Sequence, residues 1–185
     1  MNSKTKYIKV SSYEAYNGEF DKVLLLYSGG LDTSVMIKWL IDNYQVEVYT
    51  LTMDIGQQKD DLDAIKSKAL KLGAKKAIVM DVKEDFANLI IAKGIKANAS
   101  YQGDYHLSTP MGRVITSIKV VDVCEQEKIY CVAHGCTGKG NDQVRFESYV
   151  TTLNPKIKII APVREWMMDR NEEIKYAIEN NISVP

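Results

Sequence analysis

A glycine-rich stretch near the amino terminus has the residue types that bind phosphate. Its sequence is YSGGLDTS, from Tyr27 to Ser34, and it follows an apolar run and opens an amphipathic pattern. The first turn of a helix leaves backbone amides without partners and carries partial positive charge, so these amides can point at an anion. They belong to Ser28, Gly29, Gly30 and Leu31. Thr33 and Ser34 add hydroxyls, and Asp32 can hold a magnesium ion between phosphates.

Two familiar nucleotide loops do not fit this stretch. It matches neither G-x-x-x-x-G-K-[ST] nor G-x-G-x-x-G, so a kinase-type or dinucleotide loop is not supported. Spacing alone leaves one alternative open, in which Ser-Gly-Gly is a tight turn and Asp32 caps the following helix.

A second glycine-rich loop carries a dense set of polar residues. In AHGCTGKGNDQVRFE, from Ala133 to Glu147, a helix start is combined with Lys139, the pair Asn141 and Asp142, and Arg145 about one turn later. Arginine can bind a carboxylate through two hydrogen bonds, and Asn and Asp oxygens accept from an amine. The set therefore suits a small zwitterion. The alternative is that Asp142 caps the helix and Arg145 pairs with Glu147 or with solvent.

The histidines and cysteines give weaker signals. His134 has two open interpretations, a group that orients the loop or the phosphate, or a satisfied histidine at a strand end. His106 is expected to be exposed. No cysteine or histidine pair has the spacing of zinc ligands, and the three cysteines are expected to be reduced. Two lie in apolar, core-like patterns and one in the second loop: Cys124, Cys131 and Cys136.

Strand and helix patterns alternate along the chain. Strands are predicted at 22–27, 46–53, 76–82, 129–135 and 156–162. Helices are predicted at 32–44, 62–73, 84–99, 114–128, 143–153 and 171–181, with Pro110 and Gly112 as breakers before the fourth. This order predicts an α/β fold with an open, parallel, five-stranded sheet and helices on both faces, in which ligands bind beyond the carboxyl ends of the strands. Residues 1–20 are expected to form an edge strand plus a short loop or tail.

Composition limits the classes of function. The 185 residues suffice for one domain, and 24 basic against 24 acidic residues give a net charge of +0, which offers no attraction for DNA or another polyanion. No apolar run approaches the roughly 18 residues of a membrane helix, and the first residues lack the apolar stretch of a signal peptide. No nucleic-acid or membrane partner is therefore expected, and the expected location is the cytoplasm.

Both loops resemble signatures of known enzymes. SGGLDTS resembles the pyrophosphate loop of N-type ATP pyrophosphatases, and the second loop is very similar to the HGxTGKGNDQVRFE run of argininosuccinate synthases. The similarity continues in DIGQ at 54–57, in KALKLGAKK at 68–76 and in the carboxyl-terminal residues from Ile160, so it covers about residues 22–185. It implies an adenine nucleotide alpha hydrolase-like, Rossmann-like fold, with residues 21–185 as the ATP-binding domain and 1–20 as an amino-terminal extension.

The resemblance implies a role for particular residues. ATP contacts are implied for Tyr27, Ser28, Gly29, Gly30, Leu31, Asp32, Thr33, Ser34, Met53, Gly135 and Lys139. Aspartate contacts are implied for Thr137, Asn141 and Asp142, and citrulline contacts for Tyr105, Thr109, Asn141 and Arg145. Catalytic roles are implied for Asp32, Asp142 and Arg145, with Mg²⁺ at Asp32. Pro110 stands where many members have a serine, so Thr109 becomes the candidate hydroxyl; Arg113 either neutralises a carboxylate or phosphate or forms an ion pair on a helix face.

The implied reaction joins L-citrulline to L-aspartate at the expense of ATP, through a citrullyl-adenylate, and releases AMP and pyrophosphate. The resemblance also implies that the family continues into a synthetase and oligomerisation domain, which we expect to be absent from this chain, and that the full-length family is a homotetramer. Two other hypotheses remain open: another adenylating enzyme of the superfamily, such as a tRNA thiolase, and a nucleotide-binding module without turnover.

Overall fold

Five strands form one parallel sheet in the computed structural model, which describes residues 7–57, 61–138 and 140–183. The strands are β1 (Lys22–Leu26), β2 (Glu47–Asp54), β3 (Lys76–Asp81), β4 (Cys131–Ala133) and β5 (Lys158–Ile160). Their order in the sheet is β3-β2-β1-β4-β5, and each neighbouring pair is parallel. The predicted five-stranded parallel sheet is confirmed.

Helices pack on both faces of this sheet. They are α1 (Leu31–Tyr44), α2 (Leu62–Lys71), α3 (Lys83–Asp85), α4 (Ala92–Lys96), α5 (Ser108–Glu127), α6 (Asn141–Leu153), α7 (Pro162–Trp166) and α8 (Arg170–Glu179), with a π-helical stretch at Phe86–Ile91. Successive side chains of a strand point to opposite faces. Accordingly, Val23 and Leu25 of β1 pack in a core with α1, whereas Leu24 packs in a second core with α5 and α6.

Two segments differ from their predicted structure. Helix α5 begins at Ser108 rather than at 114, because Pro110 lies in its first turn, where the missing N–H would have no partner within the helix. Pro162 begins α7 in the same way, and β5 ends at Ile160 before it. Pro110 was interpreted as a breaker and Pro162 as the end of a strand, although proline is also a favourable residue for starting a helix.

Residues before β1 pack against the sheet edge at β5. Glu14 forms a single parallel bridge with Ile159, and Ala15 is fully buried in the core that contains Val23. Within residues 7–20, the predicted edge strand is therefore represented by a single β-bridge to β5. Cys124 and Cys131 are buried, as predicted. Among the described residues, no helix has the length and hydropathy needed to cross a membrane.

Candidate functional site

A large cavity lies where the order of the strands reverses. The chain passes from β1 outward to β2 and β3 on one side, and β4 and β5 extend the sheet on the other, so β1 and β4 flank the reversal. Open α/β sheets bind ligands outside the carboxyl ends of the strands at such a point. The loops that follow β1 and β4 line a cavity of about 1310 Å³, larger than the roughly 300–1,000 Å³ of a typical small-molecule site.

Most of the residues singled out in the sequence line this cavity. They are Ser28, Gly30, Leu31, Asp32, Thr33, Tyr105, Gly135, Thr137, Asn141, Asp142 and Arg145. Arg113 and His134, for which two interpretations were open, also line it. Arg170, Tyr101 and Leu107 line it without having been predicted. The two glycine-rich loops, about 100 residues apart in the sequence, thus face one space.

The amino end of α1 presents free amides to the cavity. Gly30 is the residue before the helix, and no side chain caps the first turn, so the interpretation of Asp32 as the cap is wrong. Gly29 has a φ of 80°, and a Cβ built there would lie 2.8 Å from Cγ1 of Ile65. Both its backbone conformation and its contact with α2 therefore require glycine.

Two predicted hydroxyls support this loop from behind. Ser34 is fully buried, and its Oγ donates to the carbonyl of Gly30 at 2.7 Å. The hydroxyl of Tyr27 lies 3.2 Å from the Ser34 Oγ, and Tyr27 is also buried. Neither hydroxyl lines the cavity, so their contribution is to hold the loop, while Ser28 and Thr33 face the open space.

Asp32 pairs with an arginine that the sequence did not single out. Nη1 of Arg170, at the start of α8, donates to Asp32 and also to Glu173 at 3.0 Å. Because the two partners are 138 residues apart, no local pattern signals the pair. The described residues contain no group of three or more acidic, histidine or cysteine side chains that could hold a metal ion. Asp32 is the carboxylate of the first loop that lines the cavity, and there it accepts from Arg170.

Two ion pairs of Asp142 fix the amino end of α6. Asp142 accepts from Arg113 of α5 at 2.9 Å and from Arg145 at 3.1 Å. Gly140 precedes the helix without a side-chain cap, so Asp142 is not the cap, and Arg145 does not pair with Glu147. Arg113 therefore forms an ion pair, in this case between two helices. Its hydrogen bond, with that of Arg145, holds the pKa of Asp142 below the ordinary value.

A buried ionic chain lies beneath the second loop. His134, which is 1% exposed, accepts from the Cys136 amide at Nδ1 over 3.1 Å, and its Nε2 lies 3.0 Å from Glu147. The bond from the amide requires Nδ1 without a proton, so the ring proton lies on Nε2, toward Glu147. Arg164 of α7 completes the chain at 3.0 Å from Glu147. Both interpretations of His134 apply, because it is satisfied and it orients the loop; His106 is exposed, as predicted.

The remaining predicted residues lie elsewhere. Thr109 is exposed on the first turn of α5, and it is Leu107 and Arg113 that face the cavity from this region. Met53 lines a smaller neighbouring cavity with Ile55 and Gln57, next to Ser28. Lys139 falls outside the described residues.

Comparison with known proteins agrees with this geometry. Residues 22–183 match the family model described as "Arginosuccinate synthase N-terminal HUP domain". The argininosuccinate synthase of Brevibacillus brevis is 53% identical over 165 residues, which are 89% of this chain and 39% of that protein. That of Picrophilus torridus is 54% identical over 164 residues, which are 89% of this chain and 41% of that protein.

The chain belongs to the argininosuccinate synthase family. It spans about two-fifths of the length of these relatives. Among solved structures, a 4-thiouridine synthetase in complex with RNA and ATP superimposes with a TM-score of 0.64 at 16% identity, over 88% of this chain and 41% of that one. At that identity the likeness concerns the fold alone, and it agrees with the predicted α/β fold.

Proposed function

We propose that residues 21–185 form the ATP-binding domain of an enzyme that ligates L-citrulline and L-aspartate to argininosuccinate, with release of AMP and pyrophosphate. The observation that carries the proposal is the meeting of two helix amino ends, those of α1 and α6, in one cavity. One end offers amides for phosphate, and the other offers charged and amide side chains for amino acids. The names of the relatives give the product, argininosuccinate, and citrulline and aspartate are the substrates that the family resemblance implies.

The phosphates of ATP belong at the amino end of α1. Gly30 provides no side-chain cap for the first turn of α1, and the helix dipole favours a negative charge there. Asp32 would supply one ligand to a magnesium ion that arrives with the nucleotide, and such an ion neutralises charge on the leaving pyrophosphate. Arg170 lies beside Asp32 and lines the same cavity, so it adds a positive charge on this side.

The two amino acids belong at the second loop. Arg145 has a guanidinium for the carboxylate of citrulline, with Tyr105 across the cavity and Asn141 at the start of α6. Thr137 and Asp142 line the same cavity, and we assign them to aspartate. Because α1 and α6 follow adjacent strands, both amino acids would lie near the phosphates.

Positioning dominates the chemistry in both steps. The ureido oxygen of citrulline attacks the α-phosphorus of ATP, and the P–O bond to pyrophosphate breaks. The amine of aspartate then attacks the ureido carbon, and AMP leaves. The pKa of Asp142 is held low by Arg113 and Arg145, so this carboxylate is a weak base. We assign it the task of orienting the aspartate amine as a hydrogen-bond acceptor.

ATP–pyrophosphate exchange, run with and without citrulline, tests the proposal. Citrulline-dependent exchange is the expected result, since only the adenylate step returns labelled pyrophosphate to ATP. Exchange without citrulline would favour another adenylating enzyme of the superfamily. ATP binding measured by calorimetry, without any exchange, would favour a nucleotide-binding module. Absence of ATP binding would contradict the ligase, the other adenylating enzyme and the nucleotide-binding module alike.

A further inference from the structure

The segment from Tyr7 to Ala15 lies outside the residues that match the family model, which begin at residue 22. It is nevertheless anchored to the sheet. The amide of Ala15 donates to the Ile159 carbonyl at 2.9 Å, and the Ile159 amide donates to the Tyr13 carbonyl at 2.8 Å. These two bonds fix the segment along the outer edge of β5, next to α7.

Glu14 occupies the centre of this segment and is 5% exposed. Its Oε2 accepts from the amides of Val10 and Ser11, each at 2.9 Å, and its Oε1 accepts from the hydroxyl of Tyr7. These hydrogen bonds favour the charged form, and the pKa of Glu14 is lowered despite its burial. A buried carboxylate that stays ionised needs a counter-charge, and the guanidinium of Arg164 lies 4.0 Å from it.

Arg164 connects Glu14 with the second loop. Its Nη2 lies 4.0 Å from Glu14 and 3.0 Å from Glu147, and its Nη1 donates to Gln143 in the first turn of α6 at 3.0 Å. The guanidinium also lies 5.9 Å from the centre of the Tyr7 ring. The side chain of Arg164 is 15% exposed, so these partners determine its position.

From Glu147 the contacts continue to the cavity. Glu147 pairs with His134, and His134 accepts from the amide of Cys136, which lines the cavity. One guanidinium is therefore shared between two buried carboxylates, one in the amino-terminal segment and one in α6. If the charge of Glu14 is removed, Arg164 keeps only Glu147 of these two carboxylates, so its position relative to Glu147 and Gln143 changes, and the loop above Glu147 changes with it.

We propose that Glu14 is a positioning residue, which sets the geometry of residues 134–142 through its hold on Arg164. For the functional consequence, the proposal rests on the proposed role of that loop in binding aspartate. The segment that contains Glu14 then adjusts a substrate site that it does not touch.

Histidine NMR of Glu14→Gln tests the structural part without any substrate. The chain has only two histidines, and exposed His106 serves as an internal reference for buried His134. We expect the His134 ring signals and the Cys136 amide to shift, with His106 unchanged. Glu19→Gln is the matched control. Glu19 is exposed, and its carboxylate accepts a hydrogen bond from the nearby Tyr16 amide. An unchanged His134 in the folded variant would overturn the proposal.

Kinetics of the same variants test the functional part. Glu14→Gln is expected to raise the KM for aspartate about tenfold, with kcat and the KM for ATP within about twofold of the parent values, because misplacement of a binding group weakens binding at that group. Tyr7→Phe removes one hydrogen bond to Glu14 and should shift the same KM in the same direction by less. Equal KM values for aspartate in the parent and in Glu14→Gln would contradict the proposal. If the parent protein forms no argininosuccinate, the proposed function fails and the histidine signals still decide the role of Glu14.

Discussion

The two helix amino ends that face the cavity are built differently. At α1 the loop presents amides, small hydroxyls and one exposed carboxylate, and its supports are hydroxyl and carbonyl bonds such as that of Ser34 to Gly30. At α6 the loop presents a carboxylate held by two arginines above a buried chain of ionic groups. The first end suits an anion that brings its own charge, and the second suits a zwitterion that must be oriented.

This difference shows how one fold treats two ligands. Polyphosphate is recognised wherever free amides and a dipole converge, so few side chains are required. An amino acid presents both signs of charge, and its recognition depends on fixed side chains whose own positions are determined. The α6 region should therefore be more sensitive to single substitutions in charged residues, and the α1 region to changes in backbone access.

Asp142→Asn gives the largest expected effect. The amide keeps the shape of the carboxylate but not its charge, so the proposed acceptor for the aspartate amine is lost while the citrulline contacts remain. We expect argininosuccinate formation to fall about 100-fold while citrulline-dependent release of pyrophosphate stays within a few-fold, as measured by product analysis and pyrophosphate release. Equal losses in both measurements would remove the distinction between the two regions.

Gly30→Ala and Gly140→Ala form a matched pair for backbone access. Gly30 has φ of −70° and Gly140 has φ of −121°, which alanine adopts readily. Among the described residues, a Cβ at Gly30 would meet the Ser28 Oγ at 3.4 Å, and one at Gly140 would meet nothing within 4 Å. We expect Gly30→Ala to weaken ATP binding about tenfold because its methyl group obstructs the free amides.

The same pair has its own control. Gly140→Ala should leave ATP binding within about twofold and weaken aspartate binding instead, in calorimetric titrations of both ligands. Each substitution should cost no more than about 1 kcal/mol in urea unfolding, since alanine is only a poorer residue than glycine before a helix. A loss of ATP affinity in both variants alike would show that the two ends act as one site.

Arg170→Ala should have a smaller effect at the α1 end. The substitution removes a positive charge next to the phosphates and leaves Asp32 without its partner, and both changes oppose ATP. Because the pair is exposed, we expect a loss of about three- to fivefold in ATP affinity that diminishes at high salt. Lys175→Ala, on the same helix and 77% exposed, is the control that should leave ATP affinity unchanged.

Acid should destabilise the α6 end slightly. The hydrogen bond from Arg113 lowers the pKa of Asp142, so the ionised carboxylate stabilises the folded state. That contribution is complete above the ordinary pKa of about 4 and is lost as the pH falls through the folded-state pKa. The urea midpoint of the parent protein should therefore decrease as the pH is lowered from about 5. The decrease should be smaller in Asp142→Asn. If the urea midpoints of the parent and of Asp142→Asn depended on pH in the same way, the stabilising role of the Asp142 ion pairs would be contradicted.

The fold and the place of the site were predictable, whereas the ionic partners were not. Alternation of strand and helix patterns, with glycine-rich loops after β1 and β4, predicted the parallel sheet and the facing of the two loops. The partners of Asp32 and Glu147 come from distant helices, and local spacing suggested wrong roles for Asp32 and Asp142 as helix caps. Pairing of charges depends on tertiary geometry, which sequence periodicity does not encode.

Amide NMR titration with inorganic pyrophosphate, followed by L-aspartate, tests the division of the cavity most directly. Pyrophosphate should shift the amides of Gly30, Leu31 and Asp32 first and most, and aspartate should shift those from Thr137 to Asp142. Pyrophosphate shifts centred on the start of α6, with the α1 amides unmoved, would contradict the assignment of the phosphates to α1.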